Sequence, residues 1–391
     1  MTNNIQRKAL SASEKALSWL ELAKWSPSGG NAQPWHVEYE ESFNQVAFRL
    51  TIDPEYQKNS SLMDVLGTAS ALALGSLTQN LIVIAESENY KLTQQSFENN
   101  NSIWTSAANL LFEKDSKSFT IEKPFVTHSP LVTVDTLKDR HTHREVFNSK
   151  KLPIEFTQSL ENILHNFSTL KFKFIDPGNM DLYRSLSILE KIRWQNKRYL
   201  SSLLSEIGFD KNETDLIDKI PSTQLGVSTF DQMNLKMIKK FVGVGTAAMN
   251  LGMSALPVMK STRRFVMNCQ QTIFIQIDEN NFKNCFELGR CFQQLWLSAS
   301  AQNVAFQPNG NALIALGHWL NPKITRLSRS HIKSVIEATE TFKIKFGLDL
   351  KKTVMGFRIG FSDEPMERSL RKPIHGKECT DLIHKMQKEL L

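Results

Sequence analysis

Helical and strand-like stretches interleave along this chain of 391 residues without strict alternation, and that order predicts an α+β fold. Two further observations support it. Apolar residues make up 41% and charged residues 22%, the balance of a globular protein with a large core, which excludes a mainly disordered chain, a collagen or a disulfide-dense miniprotein. In addition, Leu74, Gly75, Gln79, Leu81, Ala85 and Asn89 align in register with Leu288, Gly289, Gln293, Leu295, Ala299 and Asn303. Either two related halves, each with a central helix, or a chance likeness of two apolar helices accounts for this. At about 100–200 residues per domain, the length allows two to three domains or two fused copies of one.

The elements follow in order. Ser11 with Glu14 is a capping-box pattern, and Ala16, Leu17, Leu20, Leu22 and Ala23 continue at roughly helical spacing. That helix should end near Trp25, because Ser26-Pro27-Ser28-Gly29-Gly30 is a strong breaker. Residues 36–52 alternate as strands do, and a helix is expected over 63–86. The apolar run 69–85 contains Ser70, Ser76, Thr78, Gln79 and Asn80, so it reads as a buried helix and not a membrane span. Segment 88–127 is polar and takes no clear assignment. A basic loop over 142–153 precedes a helix at 155–167, a strand at 170–175 and one long helix at 180–207. Residues 208–240 mix acidic, proline and polar residues and suggest a loop or lid. Then come a small-residue helix at 241–259, a strand at 272–277, helices at 284–303 and 330–346, and a late strand at 354–361.

Forty-seven Lys and Arg against 40 Asp and Glu give a net charge of +7. Along the sequence the charge is spread, with modest runs at 323–329 and Lys351-Lys352, so neither a nucleic-acid nor a membrane partner is expected. A site for a small phosphate-bearing molecule suits the charge equally well. Cys269, Cys285, Cys291 and Cys379 form no CxxC and no zinc spacing, and residues 1–10 lack the apolar centre of a signal peptide. A reduced, cytoplasmic protein is the expectation.

Four stretches carry chemistry. In Ser26-Pro27-Ser28-Gly29-Gly30-Asn31-Ala32-Gln33-Pro34-Trp35, small residues let backbone N–H groups approach a flat ligand, and Asn31 adds an amide. The bland alternative is a helix-ending loop with Trp35 in the core. In Arg140-His141-Thr142-His143-Arg144, an extended backbone would turn Arg140, Thr142 and Arg144 to one side, toward an anion, and the two histidines to the other. A solvated basic turn is the alternative, and no carboxylate or Cys stands at metal-site spacing from His141 and His143. Phe306-Gln307-Pro308-Asn309-Gly310-Asn311 is a loop able to face a ring, and Arg371-Lys372-Pro373 either closes a phosphate pocket or is an exposed tail. No P-loop, dinucleotide fingerprint, GxSxG or HExxH is present.

Together these stretches resemble the FMN-binding nitroreductase family. Its members carry a Ser/Ala-Pro-Ser-x-x-Asn-x-Gln-Pro-Trp loop, matched by Ser26 through Trp35, and an Arg-x-Ser/Thr-x-Arg phosphate motif, matched by Arg140, Thr142 and Arg144. A basic pair before a proline, as at Arg371-Lys372-Pro373, is also typical. The resemblance runs from about residue 10 to 375. In ordinary members the arginine motif precedes the Pro-Ser loop. Here it follows, which resembles the double-length branch typified by the mycobacterial Acg protein.

The resemblance implies a nitroreductase-like fold of two related halves, 1–135 and 136–391, joined as an intramolecular pseudo-dimer with central helices and antiparallel sheets. It implies one FMN per chain. Arg140, Thr142 and Arg144, with Arg371 and Lys372, are its expected phosphate side; Pro27, Ser28, Gly29 and Asn31, and on a looser match Gln307, Pro308, Asn309 and Gly310, its ring side. The implied activity is NAD(P)H-dependent reduction of a nitroaromatic or quinone in a ping-pong cycle, with the flavin and no dedicated side chain carrying the chemistry. The alternative is a non-enzymatic FMN-sequestering protein with a lid at 208–240. The implied partner is a small-molecule electron acceptor, and the implied state a monomer or weak dimer.

Overall fold

Helix α1 (Ala12–Ala23) buries Ala16, Trp19, Leu20 and Ala23 along one face, as its spacing requires. The computed structural model describes residues 12–60, 62, 64–115, 131–209, 216–309, 327–363 and 368–388. Ser11, Met63, Gly310, Asn311 and stretches 116–127, 210–215 and 323–326 of the expected polar segment, lid and basic run lie outside the described residues.

Strands are present as expected, β1 (Trp35–Glu41) and β2 (Gln45–Ile52), and they pair as an antiparallel hairpin. The short helix α2 (Pro54–Lys58) leads to α3 (Thr68–Ser87), which starts later than 63. Gly67 sits at φ +81, and Asp64 takes the first free amides, accepting from Ala69 N at 2.8 Å and Ser70 N at 3.2 Å. The unassigned segment contains β3 (Tyr90–Glu98) and β4 (Ala107–Lys114); a register shift between Leu92 and Gln94 breaks the alternation that would have marked β3.

Helices α4 (Val134–Asp139) and α5 (Ile154–His165) and strand β5 (Leu170–Ile175) follow. The single helix expected at 180–207 is two, α6 (Met180–Gln195) and α7 (Lys197–Ser205). Asn196 leaves helical geometry and its Oδ1 accepts from Arg198 N and Tyr199 N, ending one helix and capping the next. The expected loop at 208–240 holds β6 (Ile207–Gly208), β7 (Ile220–Pro221), a tight turn at Ser222–Leu225 and helix α8 (Thr229–Lys240). The helix expected at 241–259 is α9 (Val242–Ala248), a wide turn and α10 (Ala255–Val266), bent by 75° with Gly252 at φ +112. The chain continues through β8 (Gln271–Ile277), α11 (Phe282–Ala301), β9 (Ala305–Asn309), α12 (Arg329–Phe346), β10 (Val354–Gly360), β11 (Gly376–Glu378) and α13 (Leu382–Lys388). Residues 306–309, expected as a loop, thus lie in a strand paired with β10.

Among the described residues one sheet runs β11-β1-β2-β4-β3 and another β5-β8-β10-β9. The order β1-β2-β4-β3 repeats as β5-β8-β10-β9, antiparallel throughout, and a central helix precedes the last two strands in both. The fold is therefore α+β with two related halves. Strand β11 pairs in parallel with β1 and completes the first sheet.

The central helices α3 and α11 cross at the two glycines that align in sequence. A Cβ on Gly75 would lie 1.9 Å from Phe286 O, and one on Gly289 would lie 2.0 Å from Leu72 O, so only glycine allows the approach. The polar residues of the apolar run are used here: Ser76 Oγ donates to Gly289 O at 3.0 Å, and Gln293 Nε2 to Asn80 Oδ1 at 2.7 Å, both fully buried. Among the described residues the stretch Val65–Ser87 is the one straight helix long and apolar enough to cross a membrane, and it is core.

Candidate functional site

The Pro-Ser loop leaves α1 and tightens into a turn at Gly29–Asn31. Gly30, Asn31 and Gln33 all adopt positive φ, at 61°, 63° and 54°. Two non-glycine residues held in this region mark a strained backbone. What holds it is a set of side-chain bonds. Gln33 N donates to Ser28 Oγ at 2.9 Å; Gln33 Nε2 donates to Asn31 O at 3.0 Å and Ile217 O at 2.8 Å; Gln33 Oε1 accepts from Lys372 N at 2.7 Å. The Asn31 NH₂ lies within bonding distance of Ile217 O, Lys219 O and Leu370 O, at 3.0–3.3 Å. Asn31 was expected to offer its whole amide to a ligand. Its donors are instead committed to the chain, and its Oδ1 is buried without a partner.

The arginine motif follows α4 and is pinned against α11 and β9. His143 N donates to Phe306 O at 3.1 Å, Phe306 N to His143 Nδ1 at 3.3 Å, and Trp296 Nε1 to His141 O at 3.3 Å. The two histidine rings lie together, 4.1 Å between centroids. Burial, then neighbouring His141 and Arg358, pulls the His143 imidazole down to about 3. His141 does not turn away from the arginines as expected; it shares a cavity wall with them. Among the described residues no cluster of three His, Cys, Asp or Glu could hold a metal ion.

The two motifs meet at a cavity of about 300 Å³, at the lower end of the ~300–1,000 Å³ typical of ligand sites. Of the residues singled out in the sequence, Pro27, Ser28, Gly29, Asn31, Arg140, Thr142, Arg144, Pro308, Asn309 and Arg371 line it. Gln307 and Lys372 do not. Gln307 stands opposite Arg358 in the β9–β10 pairing, and its Oε1 accepts from Arg358 Nε at 2.6 Å on the face away from the cavity. Lys372 Nζ pairs with Asp218 at 2.7 Å. Gly310 lies outside the described residues. Sequence reasoning missed Trp25, Phe292, Trp296, Met355, Arg368 and Arg193, which give the cavity its apolar and aromatic walls and two further guanidinium groups, that of Arg193 already paired with Glu190 at 2.7 Å. Trp25 adjoins the Pro-Ser loop; the others carry no local signal.

The electrostatics are one-sided. Arg140 is 3% exposed; its Nη2 donates to Trp25 O at 3.0 Å and its guanidinium lies 4.3 Å from the Trp296 ring centroid. Burial, with Arg371 and Arg368 adding repulsion, holds it well below the usual arginine range. Burial draws both Arg144 and Arg371 down to about 10, with Arg368 adding to the drop at Arg371. No carboxylate counters any of these three shifts, and Nε of Arg140 and of Arg371 is buried without a partner. Arg358 shows what a structural arginine looks like here: Nε donates to Gln307, Nη1 to Arg264 O and Asn268 O, Nη2 to Glu145 O, and the group stacks 3.9 Å from the Phe147 centroid. Among the described lining residues Glu206, beside Gly30, is the only acid.

A strap of chain lies over the cavity edge. Ile220, Gln224 and Leu225 line the cavity, and the preceding residues are tied down by Asn31, Gln33 and the Asp218–Lys372 pair. Gln224 O accepts from Arg144 Nη1 at 3.1 Å and Gln224 Oε1 from Ser369 Oγ at 2.7 Å.

No family model and no curated protein matches this sequence. Among solved structures, a putative nitroreductase from Anabaena variabilis aligns over 91% of this chain and 90% of its own, at 11% identity and a TM-score of 0.42. A nitroreductase with bound FMN from Desulfitobacterium hafniense aligns over 61% of this chain and 94% of its own, at 13% identity and a TM-score of 0.34. An FMN-dependent nitroreductase from Mycobacterium smegmatis, in complex with NADPH, aligns over 58% of this chain and 86% of its own, at 12% identity and a TM-score of 0.30.

Proposed function

We propose that the cavity binds one FMN per chain and that the loaded protein is an NAD(P)H-dependent oxidoreductase acting on a nitroaromatic or quinone. The carrying observation is the cluster of buried Arg140 and half-buried Arg144 and Arg371 without carboxylate partners, with orphaned Nε atoms on Arg140 and Arg371, set against apolar and aromatic walls. Such a site is electrostatically incomplete without an anion, and the rest of its wall suits a flat, largely apolar body. The match of the two motifs to the nitroreductase pattern selects FMN among such molecules.

In this reading FMN, when bound, supplies hydride acceptance and delivery. Arg140, Thr142 and Arg144 bind the phosphate, with Arg371 and Arg368 adding positive potential. Asn31 Oδ1, the unpartnered acceptor of the Pro-Ser loop, takes a ring N–H. Gln33 holds that loop in its strained form and orients Asn31. Phe292, Trp296 and Met355 keep water from the apolar wall. Both motifs come from one chain, so the site needs no second copy. The four free thiols suit a reducing compartment such as the cytoplasm.

The tied-down strap favours a second reading, in which FMN is held and shielded without turnover. Loading the protein with FMN and adding NAD(P)H anaerobically, then a nitro compound or quinone, separates the two. Bleaching and recovery of the flavin absorbance support the enzyme; a fully occupied flavin that is never reduced supports sequestration. A protein that takes up no FMN would refute both.

A further inference from the structure

The positive charge, expected to be spread along the sequence, is concentrated in one stretch. Residues 229–266 contain six Lys or Arg and a single acid, Asp231, and so account for most of the net +7. The same elements, α8 through α10, display nine of the nineteen large apolar residues exposed among the described residues. Leu251 is 88% exposed, Phe230 71% and Met253 64%, and Met237, Leu256 and Met259 join them. So many large apolar side chains exposed on one short run of helices are unusual on a protein that faces only water.

Its shape is as informative as its composition. Lys260 Nζ pairs with Asp231 at 3.1 Å, which sets α10 beside the start of α8. Helices α9 and α10 together are apolar enough to pass for a membrane-spanning helix, but the 75° bend at Gly252 makes them a shallow wedge. A Cβ on Gly243 or Gly252 would meet nothing within 4 Å, so both glycines face open space. Exposed Lys260 and Arg263 belong to the wedge, and exposed Lys240 ends α8 two residues before it. Apolar side chains flanked by Lys and Arg on short helices are the composition of elements that lie in a bilayer interface.

We propose that this face docks on an anionic phospholipid bilayer, with Leu251, Met253 and Leu256 entering the headgroup region and Lys240 and Arg263 held by lipid phosphates. Charge argues against a second copy as the occupant, because a two-fold contact would set this cationic patch against itself. An anionic leaflet supplies the opposite sign. The docking stands independently of what the cavity binds.

The test is flotation of the full chain with phosphatidylcholine vesicles, with and without phosphatidylglycerol. The protein should float with the anionic vesicles and not with the neutral ones. Lys240→Gln with Arg263→Gln should lower the binding constant by roughly 25-fold, about fivefold per charge. Leu251→Asp with Met253→Asp should abolish flotation while the far-ultraviolet circular dichroism is retained, since both side chains are exposed. Absence of flotation with either vesicle overturns the proposal. So does undiminished binding of the Leu251→Asp/Met253→Asp variant, which would mean adsorption by charge alone. Concentration-dependent dimerisation lost in that variant, without flotation, would assign the face to a second copy instead.

Discussion

Replacing Arg140 with methionine separates two costs that its guanidinium carries. In the free protein this group is buried, has no acid beside it and faces Arg368 and Arg371. Removing an uncompensated buried ion in favour of a well-packed apolar chain of similar length stabilises by about 1–4 kcal/mol in comparable cases. Against that stand one charge-assisted bond to Trp25 O, worth about 1.5–3 kcal/mol, and the stack on Trp296, worth about 0.5–2 kcal/mol. The terms nearly cancel, so the free protein should melt within a few degrees of the parent. FMN binding has no such compensation. Loss of one charge-assisted bond to the phosphate removes about 1.5–3 kcal/mol, a rise in Kd of roughly 10- to 150-fold. Titration of FMN fluorescence with the apoprotein gives Kd, and melting with and without FMN gives the rest. A variant that melts normally and binds FMN within about threefold of the parent would show that Arg140 does not hold the phosphate, and the site would need another occupant.

Other perturbations test the frame around the site. Gly75→Ala should destabilise by at least about 3 kcal/mol, because its Cβ would fall 1.9 Å from Phe286 O. Gly243→Ala, which meets nothing, should be neutral or stabilise by about 0.5–1 kcal/mol; circular-dichroism melts distinguish them. Gln33→Ala removes the bonds to Asn31, Ile217 and Lys372 and should speed FMN release by at least about fivefold; an unchanged release rate would mean the strap is not what retains the ligand. His143 is held near 3 when folded, against an ordinary value near 6.5. The unfolded chain therefore takes the proton first, so this contribution to stability is full above about pH 6.5 and is lost as pH falls toward 3, about 2 kcal/mol of it by pH 5. His143→Gln should reduce the gap between urea midpoints at pH 5 and pH 7.5; an unchanged gap would place the acid sensitivity elsewhere.

What the sequence discloses is what depends on near neighbours. The Pro-Ser loop and the arginine motif are legible because glycine, proline and guanidinium spacing act over a few residues. Strand β5 matches its expected bounds because its alternation is unbroken. Strand β3 is hidden because a bulge disrupts the period, and the breaks at Asn196 and Gly252 are hidden within patterns that otherwise read as helix. Roles that depend on distant partners are not legible at all. Gln33 is legible only as one position of the Pro-Ser motif; its role shows once the carbonyl of Ile217, 184 residues on, and the amide of Lys372, 339 residues on, stand beside it. Gln307 looks like a ligand-facing residue until Arg358 claims it. The docking face is a different case: its cations and apolar residues lie within one stretch, 229–266, and what the sequence hides is the Lys260–Asp231 pair that sets α10 beside the start of α8.

The parallel pairing of β11 with β1 has a consequence for how the protein is made. Cys379 N reaches Tyr39 O, and its Sγ lies 3.3 Å from the same carbonyl, 340 residues away along the chain. While the chain is being synthesised, β1 waits as an open edge with unpaired amides and carbonyls, the surface on which strands from other molecules add. Contacts of such long range form late and slowly. The first sheet is therefore begun early and closed last, and the interval between those events is where the nascent protein is most exposed to misassembly.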